Sequence, residues 1–469
     1  MNNILLGILG YILFQLFLGV VVSKKIRSEA DFLLAGRKLG FMLATFSIFA
    51  TWFGAESCVG TAGAAYADGL AGVTADPFGY AICLLLMGLV FAVPLWKMKL
   101  TTIADFFRQR FSVAAERITA LLMVPTSLLW AAAQIRAFGQ VLAASSQIEL
   151  ATAITIAAVV VICYTALGGL LADAITDIVQ GIVLIAGLII MMISVIGEIG
   201  GISAVVTSVA PSKLSFIPAN IESGPLSFFT IAEAWAIPIC GSIVAQEVIS
   251  RVIASRSPNI ARGSALMAGW LYFCIGIIPL SLGLVGFTLL PNLADPEHIL
   301  PLMAQQYLSR FFYILFAGAL VSAILSTVDS ALLAASALFS HNLIFSLQPQ
   351  IKENLRLKIV RSLVIVMGVL AYVLALHAEG IYRLVKDASS FGSSGIFVVL
   401  IFGLFSRFGN AKSAIAALIS GAAVWIVCHY FFDFKWSYLL SLSLSLSSYL
   451  MIAMAERLAT KFTLRLQDT

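Results

Sequence analysis

Apolar runs of about 20 residues, each long enough to cross a bilayer, recur from one end of this 469-residue chain to the other. In hydrocarbon every backbone N–H and C=O must be paired within the chain, which leaves helices or a closed barrel. Barrel strands need only about 10 residues and alternate in polarity, so unbroken runs of this length read as helices. Charged residues make up 11% of the chain and hydrophobic ones 61%, with mean hydropathy +1.03. Soluble domains carry about 25% charged residues. The expectation is an all-α polytopic membrane protein with no soluble domain and no nucleic-acid partner.

Thirteen transmembrane helices are expected: an N-terminal anchor helix in 1–30, five helices in 31–198, five more in 228–406, and two C-terminal helices in 407–469 before a short tail. With the N-terminus outside, the external side keeps Lys213, Arg310, Arg383, Lys386 and Lys435, and Arg136 falls within a span. The rest of the 28 basic residues are then cytoplasmic. Cytoplasmic loops carry such an excess, so the orientation expected is N-out, C-in. An odd number of spans in each group of five inverts the second group relative to the first. Each group also opens with an interrupted helix, at Gly54, Gly60 and Gly63 around Glu56, and at Pro238 and Gly241. Paired interruptions in two inverted halves point to a midplane binding site in a secondary transporter.

Other chemistry finds little support. The six cysteines lie in spans without a CxxC pair, and the four histidines lack HExxH spacing. Neither set suggests a disulfide framework or a transition-metal site. The informative polar residues are elsewhere. "SAILSTVDSALLAAS" (322–336) places Ser322, Ser326, Asp329 and Ser330 at i, i+4, i+7 and i+8, on one face of a helix. An ionisable side chain at mid-bilayer costs roughly 2.5–3.5 kcal/mol even on the lenient insertion scale. Such a face calls for a partner, and its oxygens suit a hard cation.

These segments resemble a known family. "YTALGGLLADAITDIVQ" (164–180), "SAILSTVDSALLAAS", "DFLLAGRKLGFMLATFSIFATWFGAES" (31–57) and "QEVISRVIASRS" (246–257) are similar, in order and spacing, to segments of the sodium:solute symporters. The resemblance implies the inverted-repeat fold of the bacterial leucine transporter and a sodium-coupled symporter in a bacterial-type inner (plasma) membrane. Na+, one ion or two, would be the coupling ion and a small organic solute the cargo. Oligomeric state is left open. The family's common sodium site maps to the carbonyls of Ala50, Phe53 and Ala323 and the hydroxyls of Ser326 and Thr327. A second sodium site maps to Asp177, Ser326, Asp329 and Ser330, with the alternatives that Asp329 bonds a neighbouring helix or is protonated.

Within the family, "ATWFGAESCVGTAGAAY", "DPFGYAICLLLMGLVFAVPL" and "LLWAAAQIRAFG" resemble the high-affinity choline transporters and their bacterial relatives. That likeness places Trp52, Tyr80 and Trp130 in an aromatic cage for a quaternary ammonium, whose attraction to ring faces is worth about 2 kcal/mol when desolvated. Ala245 stands where those transporters have another cage tryptophan. Glu56 would serve as counter-ion to a cationic solute, or cap the freed amides of the second half-helix. Phe391, in "DASSFGSSG" (387–395), would line the external gate or pack. The expected cargo is thus a choline-like or other organic cation, the alternative a zwitterionic amino acid such as proline. An intramembrane enzyme built on Asp177 and Asp329, or a solute sensor, stands further off.

Overall fold

The computed structural model describes residues 28–146, 148–217, 225–378 and 380–467, together with Gly10, Leu13, Phe14, Phe17, Val21 and Ile26. The expected N-terminal anchor lies almost wholly outside the described residues. Among the described residues the chain is helical throughout, and nine helices are long and apolar enough to cross a membrane, or eleven when each of two bent pairs counts as one span. In chain order they are α1 (Phe41–Trp52) and α2 (Glu56–Ala71), bent by 60° on one another, then α3 (Thr74–Lys97). Next come α4 (Val113–Ser146), the shorter α5 (Leu150–Ala166) and α6 (Gly168–Ile199). The second set comprises α7 (Ser227–Val244), α8 (Gln246–Ala254), α9 (Pro258–Leu289), α10 (Arg310–Phe345) and α11 (Glu353–His377). The pair α12 (Arg383–Ser390) and α13 (Ser393–Phe405) is bent by 41°, and α14 (Ala411–Phe431) and α15 (Ser437–Ala459) close the chain.

Burial follows the sequence pattern. A helix that is apolar all round belongs in the interior, and every residue of α10 from Phe316 to Ala337 is buried. It packs chiefly against α6 and α4, while α1 rests on α6 and α9. The turn from α5 to α6 pivots on Gly169, at φ 61° and ψ 176°. A Cβ there would sit 2.7 Å from the Phe32 ring, so only glycine fits.

The first expected interruption is where the glycines point: α1 ends at Trp52, and Phe53 leaves helical geometry at φ −89°, ψ 69°. The second is displaced. The chain passes helically through Pro238 and Gly241 in a widened π-turn, Ile237–Gly241, and breaks at Ala245, at φ −61°, ψ 124°. A widened turn tolerates the hydrogen bond lost because proline has no N–H. Gly241 answers a different need, since a Cβ on it would fall 2.1 Å from the Ser389 carbonyl oxygen of α12. Small residues of this kind let backbones approach.

Candidate functional site

The break in α1 leaves carbonyls at its C-terminal end without helical partners, and α10 meets them with hydroxyls. Thr327 Oγ1 lies 3.3 Å from the Ala50 carbonyl and 3.0 Å from that of Ala323. Of these oxygens Thr327 Oγ1 lies beside Gly54, where an added Cβ would fall 2.7 Å from it. Phe53 is the capping residue of α1, its ring packed on Phe49 and Tyr272 at 5.1 and 5.2 Å. The Ser326 hydroxyl donates to Asp177 Oδ1. The structure therefore gathers Ala50, Ala323 and Thr327, holds Phe53 at their edge, and gives Ser326 to α6.

The four residues expected to form a second sodium site make separate contacts, and of their side chains only those of Asp177 and Ser326 bond to each other. Asp177 accepts from Ser326 and, at 2.6 Å, from Ser47 of α1. Ser330 shares contacts with Arg251, Asp173 and Thr51. Asp329 accepts from Thr165 at the end of α5, so the buried acid does bond a neighbouring helix. Sequence reasoning missed the organiser of this region. Arg251 of α8, counted above among basic residues of the cytoplasmic side, is 1% exposed and pairs with Asp173. It also donates to Ser47 at 3.1 Å and to the Glu247 carbonyl at 2.8 Å. The available signal was the pair of acids at i and i+4 in α6, which a buried basic residue would complement.

On the other side of the break the aromatic residues meet. Ring centroids of Trp52 and Tyr80 are 5.5 Å apart, those of Trp52 and Trp130 6.2 Å, and those of Tyr80 and Trp130 6.2 Å. The rings touch one another, so a solute reaches their outer faces rather than a gap between them. One such face borders a cavity of about 10 Å³ between α4, α7, α8 and α12, lined among others by Trp130, Ser127, Ala245, Glu247, Ser389 and Phe391, about the room one water needs. Ala245 thus forms one wall of the space next to Trp130. Phe391 lines it too, with its ring edge-on to Trp425 at 5.7 Å. Tyr80 and Ser242 both reach Ser389 at 3.2 Å, tying α3 and α7 to the bend between α12 and α13.

Glu56 begins the second half-helix, 1% exposed. Gln134 of α4 donates to its Oε2 at 2.5 Å and accepts from the Ala55 amide at 3.0 Å. Gln134 thus satisfies the freed amide, and the carboxylate is left for another purpose. No Lys, Arg or His pairs with it among the described residues. Above it opens a cavity of about 240 Å³ bounded by Glu56, Tyr80, Thr74, Pro238 and Lys386. Arg136 stands apart, donating to the Ala375 carbonyl at 3.1 Å.

The donor trio, the broken helices and the order of elements can now be set beside known proteins. The family model of the sodium:solute symporter family matches residues 32–421. The chain belongs to that family. The symporter is 28% identical over 419 residues to high-affinity choline transporter 1 of Caenorhabditis elegans, covering 81% of this chain and 70% of that protein. The human high affinity choline transporter 1 is also 28% identical, over 85% of this chain and 70% of its own length. The sodium/pantothenate symporter of Haemophilus influenzae is 26% identical over 91% of this chain and 90% of that one. Among solved structures, a Na+-coupled sialic acid symporter in a substrate-bound outward-open state superposes with a TM-score of 0.85 at 19% identity, covering 96% of this chain and 97% of that chain. A nucleobase-cation-symport-1 family transporter in a closed conformation gives 0.62 at 16% identity, over 92% and 96%. At these identities the superpositions establish the fold. The symporter is a membrane transporter of the sodium-coupled class and not an enzyme.

Proposed function

We propose that the symporter couples inward sodium movement to uptake of a small organic cation of the choline type, by alternating access across a plasma membrane of bacterial type. Its expected frame is the N-terminal anchor, the inverted five-helix groups 31–198 and 228–406, and two closing helices, N-out and C-in. Ala50, Phe53, Ala323, Ser326 and Thr327 would hold the coupling ion, with Asp177, Ser326, Asp329 and Ser330 providing a second place for it. Trp52, Tyr80, Trp130, Glu56 and Phe391 would receive the solute. One observation carries the reading of the cargo: the contiguous Trp52–Tyr80–Trp130 cluster lies beside a buried carboxylate that has no basic partner among the described residues. Aromatic faces with an uncompensated acid attract an ammonium group and repel an anion.

Sodium must favour the solute-competent state, because a ligand shifts an equilibrium only through differential affinity. A sodium ion between α1 and α10 would order the broken helix against its neighbour and so complete the solute site. The test is thermal stability of the purified protein with a panel of solutes in sodium and in potassium, followed by uptake into proteoliposomes. Sodium-dependent stabilisation by choline or a related ammonium supports the reading. Stabilisation by proline or another zwitterion instead would move the cargo to the amino-acid class while leaving the sodium donors in place. Uptake that does not depend on sodium would refute the coupling.

A further inference from the structure

The break of α1 brings a second acid to Glu56. Asp76, at the start of α3, is 1% exposed and has no basic partner among the described residues. Its Oδ2 accepts from Ser57 at 2.6 Å and from Tyr272 of α9 at 2.7 Å. Ser57 and Tyr272 are themselves 2.7 Å apart. The other carboxylate oxygen, Asp76 Oδ1, is buried without a close hydrogen-bond partner, and so is Glu56 Oε1; the Trp130 indole stands beside Glu56 and the Thr61 hydroxyl beside Asp76. The two carboxyl groups lie close enough for their charges to interact, and the Tyr272 hydroxyl lies in the field of both. Thr61, one turn along α2, donates to the Glu56 carbonyl at 3.1 Å and stands beside Asp76.

Two buried carboxylates, each with an unused oxygen, would carry two negative charges near the middle of the membrane. Leaving them uncompensated is costly. The surrounding atoms are hard oxygens, the set that alkali cations take. No third Cys, His, Asp or Glu joins them to complete a transition-metal site among the described residues. Access is at hand, since Glu56 floors the 240 Å³ cavity and Thr74 and Ala75 beside Asp76 border it.

We infer that Glu56 Oε1 and Asp76 Oδ1, with the hydroxyl of Thr61, form a further sodium site on the vestibule side of the helix break, distinct from both sodium sites proposed above. The inference rests on the sodium-symport reading and extends it. Glu56 joins the two places: a single point next to Gly54 lies 2.7 Å from Glu56 Oε2 and 2.7 Å from Thr327 Oγ1. An ion at Asp76 therefore sits on one side of the Glu56 carboxyl and the ion at Thr327 on the other. Filling one lowers the negative field felt at the other, and filling both leaves Glu56 compensated as solute arrives.

The test measures binding of radiolabelled Na+ to the purified full-length protein without any solute, in unmodified protein, in Thr327→Ala, and in Thr327→Ala combined with Asp76→Asn. Thr327→Ala is expected to retain a saturable component. Adding Asp76→Asn should weaken that component about tenfold or more, as loss of a carboxylate near a bound metal does. Should the Asn variant fail to fold, judged by its elution as a single species, Glu56→Gln in the same background reads the same component. Equal Na+ binding with and without the second substitution overturns the inference. So does a Thr327→Ala protein that binds no Na+, or, in a separate solute titration of the Asp76→Asn single variant, a loss of solute affinity with Na+ binding unchanged, which would give the pair to the solute's ammonium group. Sodium-driven uptake by the unmodified protein judges the symport reading separately.

Discussion

Gly54→Ala tests the sodium site through its steric margin. The new methyl would lie 2.7 Å from Thr327 Oγ1, 2.7 Å from Glu56 Oε2 and 2.9 Å from Gln134 Oε1, where ordinary contact begins at 3.4 Å. All three oxygens must retreat by about half an ångström or more. Gly54 does not occupy the left-handed region, so the cost is one of space and not of backbone strain. Overpacking of this size costs about 1–3 kcal/mol. If sodium binds as proposed, its bound state needs Thr327 drawn in against Ala50 and Ala323, so the penalty falls mainly on that state. A differential of that size lowers sodium affinity about 5- to 150-fold. Uptake into proteoliposomes as a function of sodium concentration reads the change, together with thermal stabilisation by sodium in detergent. Gly318→Ala, on α10 like Thr327, is the control, because nothing lies within 4 Å of its added Cβ. A Gly54→Ala protein that transports with unaltered sodium dependence would refute the placement of the ion.

Other expectations follow from the same geometry. Thr327→Ala should raise the sodium concentration for half-maximal uptake by about tenfold or more, with Thr327→Ser recovering most of the loss; equal behaviour of the two would show that the hydroxyl is idle. Trp130→Ala should weaken an ammonium solute by about 2 kcal/mol, measured by thermal-shift titration, and unchanged affinity in a folded protein would leave the ring a packing role. Gly241→Ala would press on the Ser389 carbonyl, 2.1 Å from the added Cβ, and should hold α7 off α12; the check is faster labelling of a cysteine introduced at Ala245 than in the parent. Burial pushes the Asp105 carboxyl up, but the hydrogen bond and charge of His341 and the amides of Thr101 and Thr102 outweigh it and hold the group below 3.8. Its contribution is present above the ordinary carboxylate value and is lost as pH falls through the lower folded value. Asp105→Asn should therefore be less stable than the parent at neutral pH, with the gap closing in acid; a gap that is flat with pH in thermal unfolding would contradict this.

The membrane class and most helices were legible because hydrocarbon imposes one strong rule, a run of about 20 apolar residues, and α9 to α11 obey it plainly. The break at Gly54 was legible because glycine concentrates there. The break at Ala245 was not, since alanine is a good helix former and only packing against α4 and α12 sets the bend; Pro238 and Gly241 drew attention to a turn that stays helical. Thr327 was singled out from its place in a recognisable segment, and its hydroxyl lies against the Ala50 and Ala323 carbonyls. Gln134 and Tyr272 were not, because a lone amide or phenol in a span carries no period, and its meaning depends on which acid it faces. Arg251 shows the hazard of counting charges along a chain: a basic residue at a span end reads as a loop anchor, yet this one is drawn inward by acids that arrive from another helix.

Arg251 has a kinetic consequence. Its guanidinium binds α8 to α1 through Ser47, to α6 through Asp173 and to α10 through Ser330, so any motion that parts these helices must break those bonds. A charge held at 1% exposure cannot be bared without solvent, so parting these helices requires water to invade first, and each molecule that enters eases the next. Opening should therefore begin slowly and finish abruptly, like the wetting of a narrow pore. Arg251 thus ties four helices together, and loosening its pair with Asp173 is the step expected to admit water between them.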